Sequence, residues 1–290
     1  MTLFANPVWR AYPRVKVDLR HPITQAQSAW YSASSFGRST PRNLMPYGQG
    51  QFPGAIGISV DGGGATPFGP AWRGSGTNNL DLGVNNRFIA SDTQPFTISW
   101  IEQHDNVVAA PGIVNLIPGG GSTTPFAILR ASQTSLDASH YGAISVGPWK
   151  SGGQLVGWLS NADGAPPLVS TKALAVFVIV GRGGPISQTA SDWTLYCGGY
   201  AKNLSGATGA ASGNTGAFGA TQNWFGWDNV DSKFSGLLDN LRIWNRALTP
   251  AEARAVCLDP LIGAFRFAPR RSNIYTTFKP WTHLPTGFPP

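Results

Sequence analysis

The sequence predicts an all-β protein: a two-sheet antiparallel jelly-roll sandwich with one short C-terminal helix and extended terminal arms. Two observations predict it. Short alternating or wholly apolar runs recur along the middle of the chain, separated by turns rich in Gly, Pro and Asn. Gly (36) and Pro (23) are abundant and only 12% of the 290 residues are charged, which leaves little material for amphipathic helices, while 42% hydrophobic residues suffice for one large core.

In order, the expected strands are "AIGISV" (55–60), "LDLGV" (80–84), "QPFTISWIEQ" (94–103), "GIVNLI" (112–117), "PFAILRA" (125–131), "YGAISV" (141–146) and "GQLVGWLS" (153–160). "ALAVFVIV" (173–180), "DWTLYCGG" (192–199), "NWFGWD" (223–228) and "SGLLDNLRIWN" (235–245) complete the set. In the last, Leu241 and Ile243 alternate with Arg242, Trp244 and Arg246, which puts aliphatic side chains on one face and polar or amphipathic ones on the other. The stretch 198–220, rich in Gly, Ala and Ser, reads as a long surface loop.

The helix follows that last strand. Thr249 suits an N-cap, Pro250 the first helical position, and Glu252 completes a Thr-x-x-Glu capping box, with Pro260 ending the turn.

The longest apolar run, 173–180, is far short of the roughly 20 residues needed to cross a bilayer, so no membrane span is expected. Pro and Arg in "MTLFANPVWRAYPR" occupy the place of a signal-peptide apolar core, so no Sec-type export is expected. Cys197 falls in a strand pattern and Cys257 in the helix, which reads as two reduced, packed thiols.

The net charge of +7 is concentrated at the ends. Residues 1–20 carry four basic residues and Asp18, giving 4 − 1 = +3; residues 261–290 carry four and no acid, giving +4; the rest is formally neutral. The arms, 1–20 and 259–290, are also rich in Pro and aromatics, which a merely solvating tail would lack. Trp9, Arg10, Arg14, Phe265, Arg266, Phe267, Arg270 and Arg271 are therefore the expected partner-docking residues, with wrapping over their own domain as the alternative. Nucleic acid is not the expected partner, since an acidic protein surface explains the same charges.

"PFTISWI", "KALAVFVIVGRGG", "DWTLYCGG" and "FSGLLDNLRIWNRALTPAEARAV" resemble, in order and spacing, the concanavalin A-like jelly roll of the laminin-G-like lectin/glucanase superfamily over residues 21–258. The last is the most specific: Leu238, Asp239, Arg242, Ile243, Trp244, Asn245, Arg246, Ala247 and Leu248 fill a family strand of the type F-x-G-x-I-D-x-x-R-I-Y-N-R-A-L. The resemblance implies a structural role for Asp239 and the capped turn. "HPI" near the start and "DPLIGAFRFAPRR" after the helix resemble flanks of phage-encoded members, which implies a virion protein made in the host cytoplasm. "ALAVFVIV" departs from the family's W-x-H-V-A strand, and the 198–220 loop is longer than the usual return.

Glucanases on this fold pair two carboxylates across a groove, commonly as E-x-D-x-x-E, and that motif is absent. Glu102 shares a strand face with His104, yet no partner carboxylate is identifiable and a polar strand end explains both; no catalytic residue is assigned. Asp228, Asn229 and Asp231 are the nearest candidates for a lectin-type calcium site, although turn chemistry accounts for such clusters; no metal ligand and no cofactor other than calcium is considered.

The function expected is that of a non-enzymatic bacteriophage virion protein, a capsid decoration or spike-base subunit docked on capsid or tail subunits or on further copies of itself. The alternative is a carbohydrate-binding adhesin for host surface polysaccharide, with its sugar-binding residues unassigned.

Overall fold

A computed structural model describes residues 16–33, 43–45, 63–75, 80–82, 89, 91, 93–104, 112–118, 126–130, 144–148, 157–159, 174–185, 187, 189–197, 200–203, 218–225 and 234–265. The elements are β1 (Lys16–Val17), β2 (Gln27–Tyr31), β3 (Gly63–Thr66), β4 (Gly69–Ser75), β5 (Leu80–Asp81), β6 (Phe96–His104), β7 (Gly112–Pro118), β8 (Phe126–Arg130), β9 (Ile144–Pro148), β10 (Gly157–Leu159), β11 (Ala175–Gly181), β12 (Trp193–Cys197), β13 (Tyr200–Asn203), β14 (Phe218–Phe225), β15 (Ser235–Trp244), α1 (Pro250–Leu258) and β16 (Ala264–Phe265).

The strands form two antiparallel sheets and a two-stranded ribbon. One sheet has six strands in the order β10-β9-β8-β7-β14-β5. The other has eight, β13-β12-β11-β6-β15-β4-β3 with β2 also on β15, and the ribbon is β1-β16. The all-β sandwich with one short α-helix expected from the sequence is the fold observed.

The inter-sheet core takes Phe96, Ile98 and Trp100 from β6, Phe177 and Ile179 from β11, Leu241 and Ile243 from β15, and Ile128 from β8. Trp100 and Phe177 are cross-strand partners, stacked with ring centroids 5.3 Å apart. Phe96 and Trp193 both pair with Gly181 from opposite sides, and their rings meet edge to face at 5.6 Å. A Cβ at position 181 would lie 2.4 Å from Phe96, so glycine is what lets these rings meet.

On its outer face the eight-stranded sheet carries α1. Val178, Val180, Tyr196 and Trp244 pack there with Ala253, Val256 and Cys257. The expected capping box is present: the Thr249 hydroxyl accepts from the Glu252 N–H and the Glu252 carboxylate from the Thr249 N–H.

Two expectations need correction. Positions 198–220 are not all loop: Tyr200–Asn203 pairs with β12, and β14 starts at Phe218. Cys197 pairs with Tyr200. The face of β15 opposite the core is also buried, because the chain ends close over Arg242 and Trp244. The expected strand at 55–60 lies outside the described residues.

Candidate functional site

The polar cluster of β15 is built by a bulge. Asp239 pairs with Ile101 and Arg242 with Ser99, so β15 has one residue more than β6 in this interval. Asn240 takes up the excess in the left-handed region, φ 53°, where Asn is tolerated better than most residues. Leu241 and Ile243 thereby stay in the inter-sheet core while Asp239 and Asn240 are freed to bond neighbouring chain.

Each bond serves a long-range closure. Asp239 Oδ1 accepts from the Ala33 N–H at 2.8 Å, and Asn240 Oδ1 accepts from Trp30 Nε1 at 2.7 Å while its Nδ2 donates to the Pro260 carbonyl at 2.7 Å. Burial pushes the Asp239 carboxyl up to about 7, opposed by the Ala33 and Asn240 N–H groups and the Ser32 hydroxyl.

Arg242 completes the closure. Its side chain is fully buried, with the guanidinium carbon 3.8 Å from the Trp30 ring centroid and 4.7 Å from that of Trp244. Nη1 donates to the Pro260 and Ile262 carbonyls at 3.1 and 3.0 Å, and Nη2 to Gln27 Oε1 at 3.1 Å. Burial pulls the group down to about 9, with Asp259 acting in the opposite direction, so it remains charged at neutral pH. The charge is met by carbonyl dipoles and indole faces at the turn that follows α1.

That turn delivers the chain to the ribbon. Val17 pairs with Ala264 and Lys16 with Phe265, and the Asp18 N–H donates to the Gly263 carbonyl at 2.8 Å. Gly263 has φ +86°, and a Cβ there would lie 2.7 Å from Ile23 and 2.8 Å from Thr24. Val17, Leu261 and Ala264 pack with Trp30 and Met45.

Residues 16–20 and 259–265, assigned to the arms on sequence, are thus tied to the domain. Lys16 and Phe265, the first and last described residues, are cross-strand partners, one strand spacing (about 5 Å) apart. In sequence, Arg10 and Arg14 precede Lys16, and Arg266, Arg270, Arg271 and Lys279 follow Phe265.

Of the expected docking residues, Phe265 is the last of β16; Trp9, Arg10, Arg14, Arg266, Phe267, Arg270 and Arg271 lie outside the described residues, as do Asp228, Asn229 and Asp231. Glu102 lies on the inter-sheet side of β6, fully buried, its Oε2 accepting from Trp100 Nε1 at 2.8 Å. It is not at a solvent-open groove. Cys197 packs against the inter-sheet core and Cys257 under α1, on opposite sides of the sheet, and both are thiols. Among the described residues no cluster of three or more His, Cys, Asp or Glu is gathered for a metal, and no helix is long and apolar enough to cross a membrane.

Sequence reasoning missed Trp30 and Gln27, half of the Arg242 closure. Their strand shows no polar alternation because both of its faces are buried.

No family model and no curated protein sequence matches the chain. Among solved structures it is similar to domain 4 of AbnA, a GH43 extracellular arabinanase from Geobacillus stearothermophilus, in complex with arabinotriose: TM-score 0.51 and 15% identity over 84% of this chain and 100% of that one. It is also similar to Trypanosoma rangeli sialidase, with TM-score 0.48, 11% identity and 82% of this chain covered, spanning about a third (33%) of that protein. A third is the CBM40 of Ruminococcus gnavus IT-sialidase, with TM-score 0.40 and 12% identity over 70% of this chain and 100% of that chain. The chain shares the β-sandwich fold of the arabinanase domain.

Proposed function

We propose that the chain is a non-enzymatic bacteriophage virion protein that presents a lectin-like, carbohydrate-binding sandwich and is held on neighbouring subunits by its terminal segments. The observation that carries the docking half is the ribbon. Lys16 and Phe265, which adjoin the two basic, aromatic segments in sequence, are cross-strand partners, and the Arg and aromatic residues of those segments are of the types that anchor docking interfaces. The virion assignment draws on the resemblance of "DPLIGAFRFAPRR" to phage-encoded flanks.

The carbohydrate half draws on the fold, which in the arabinanase domain accompanies a bound arabinotriose. The absence of activity is argued from chemistry. Glycoside hydrolysis employs two carboxylates flanking the scissile bond, and Glu102 sits inside the core, held by an indole N–H. Co-sedimentation of the purified full chain with virions tests the reading: association that survives washing is required, and a protein that stays wholly in the supernatant is not a virion subunit.

A further inference from the structure

Two buried polar atoms beneath the C-terminal closure have no hydrogen-bond partner within the protein, Ser99 Oγ and Arg242 Nε. They belong to residues that oppose each other across β6 and β15, since Arg242 is the register partner of Ser99. Ile98 and Ile243, the next pair along, lie in the inter-sheet core, which puts Ser99 and Arg242 together on the outer face. Directly opposed residues of this kind have Cβ atoms about 5 Å apart. Ser99 is 1% exposed and Arg242 is wholly buried. A polar atom at this depth costs free energy unless a water or an ion meets it.

The surroundings narrow what can meet them. On the other side of Ser99 stands Val178, its partner on β11, which packs with Trp244, Val256 and Cys257. The polar groups of the closure are already engaged. The Pro260 carbonyl accepts from both Asn240 Nδ2 and Arg242 Nη1, which uses its two lone pairs, while the Ile262 carbonyl and Gln27 Oε1 each hold a guanidinium nitrogen. Thr97, two residues along the same face of β6, donates to the Arg246 carbonyl and accepts from the Leu248 N–H. Charge is the other constraint. Among the described residues no carboxylate lies at ion-pair distance from the Arg242 guanidinium, and Asp259 acts on it from farther away.

We propose that Ser99 Oγ and Arg242 Nε hold a buried chloride ion on the outer face of the eight-stranded sheet, beneath the turn that follows α1. Both groups can donate, and a monatomic anion accepts from each without bringing hydrogens of its own. A bridging water would accept from Arg242 and donate to Ser99, which leaves its second hydrogen and that of the Ser99 hydroxyl facing apolar neighbours. The anion also brings the charge that the guanidinium lacks nearby. Because Arg242 ties Gln27 of β2 to the carbonyls of Pro260 and Ile262, the ion makes the closure of the domain depend on chloride.

The test uses the purified full chain. Melting temperatures are read in sodium chloride and in sodium gluconate at matched ionic strength and pH, for the unaltered protein and for Ser99→Ala. The expected result is a melting temperature that climbs with chloride and levels off as the site fills, no such climb in gluconate, and loss of the climb in Ser99→Ala. Crystals grown with sodium bromide in place of chloride give the second readout, an anomalous bromide peak in contact with Ser99 Oγ and Arg242 Nε, which requires no variant to fold. Equal melting temperatures in the two salts overturn the proposal, and so does a map with a water, or with no peak, at that position.

Discussion

Arg242 lies on Trp30 with its guanidinium carbon 3.8 Å from the ring centroid, and the same guanidinium holds the carbonyls of Pro260 and Ile262. A residue of the longest strand thereby fastens a strand at the start of the domain to the turn at its end.

Arg242→Ala is predicted to destabilise the domain by about 3–5 kcal/mol, since it strands buried carbonyls and empties a site between two indoles. Arg242→Lys recovers only part of this, because an ammonium cannot span the planar fork of acceptors. Chemical denaturation monitored by tryptophan fluorescence checks both; a loss below 1 kcal/mol for Arg242→Ala contradicts the closure.

Asp239 makes stability depend on pH in a stated direction. Its carboxyl is raised from 3.8 to about 7, so between these values the unfolded chain has released a proton that the folded chain retains, and stability falls as pH rises through this window. Asp239→Asn should remove that slope and exceed the unaltered protein in stability above pH 7, while matching it near pH 4. Glu252 acts oppositely in a separate window: Arg246 foremost, with Thr249, holds it down to about 2, so its contribution is lost only as pH falls below 4.5. Urea midpoints measured from pH 4 to 8 decide it; a midpoint that rises with pH in both proteins refutes the Asp239 assignment.

Gly263→Val should destabilise by roughly 1–3 kcal/mol, from the positive φ and the contact with Ile23 and Thr24. Amide exchange should quicken at Asp18, whose N–H is bonded to the Gly263 carbonyl. Unchanged protection at Asp18 would show that the ribbon does not depend on this turn.

Much of this was legible in the sequence because it is local. The Thr249–Glu252 capping box lies within four residues, and the Leu241/Ile243 alternation within one strand. The Arg242 closure was not, because its acceptors are main-chain carbonyls, which any residue type supplies. The bulge at Asn240 carries no Gly to announce it. β2 and the β3-β4 hairpin were missed for opposite reasons: Gln27–Tyr31 is buried on both faces, and Gly63–Ser75 is crowded with Gly and Pro.

Incubation with arabinan, β-glucan and sialoglycan substrates should release no reducing ends, in accord with the burial of Glu102 and its indole partner. Turnover abolished by Glu102→Gln would make Glu102 the acid/base and overturn the non-enzymatic reading.

The most direct measurement is particle association of two truncated chains, one ending at Phe265 and one at Asp259, assayed by circular dichroism and co-sedimentation with virions. The chain ending at Phe265 keeps the Arg242 acceptors and the ribbon, so it should fold with a near-native melting temperature yet fail to sediment with particles. The chain ending at Asp259 loses both carbonyls and should be unfolded or markedly destabilised. Full incorporation of the chain ending at Phe265 would contradict docking through the C-terminal segment, and its unfolding would show that residues 266–290 belong to the domain itself.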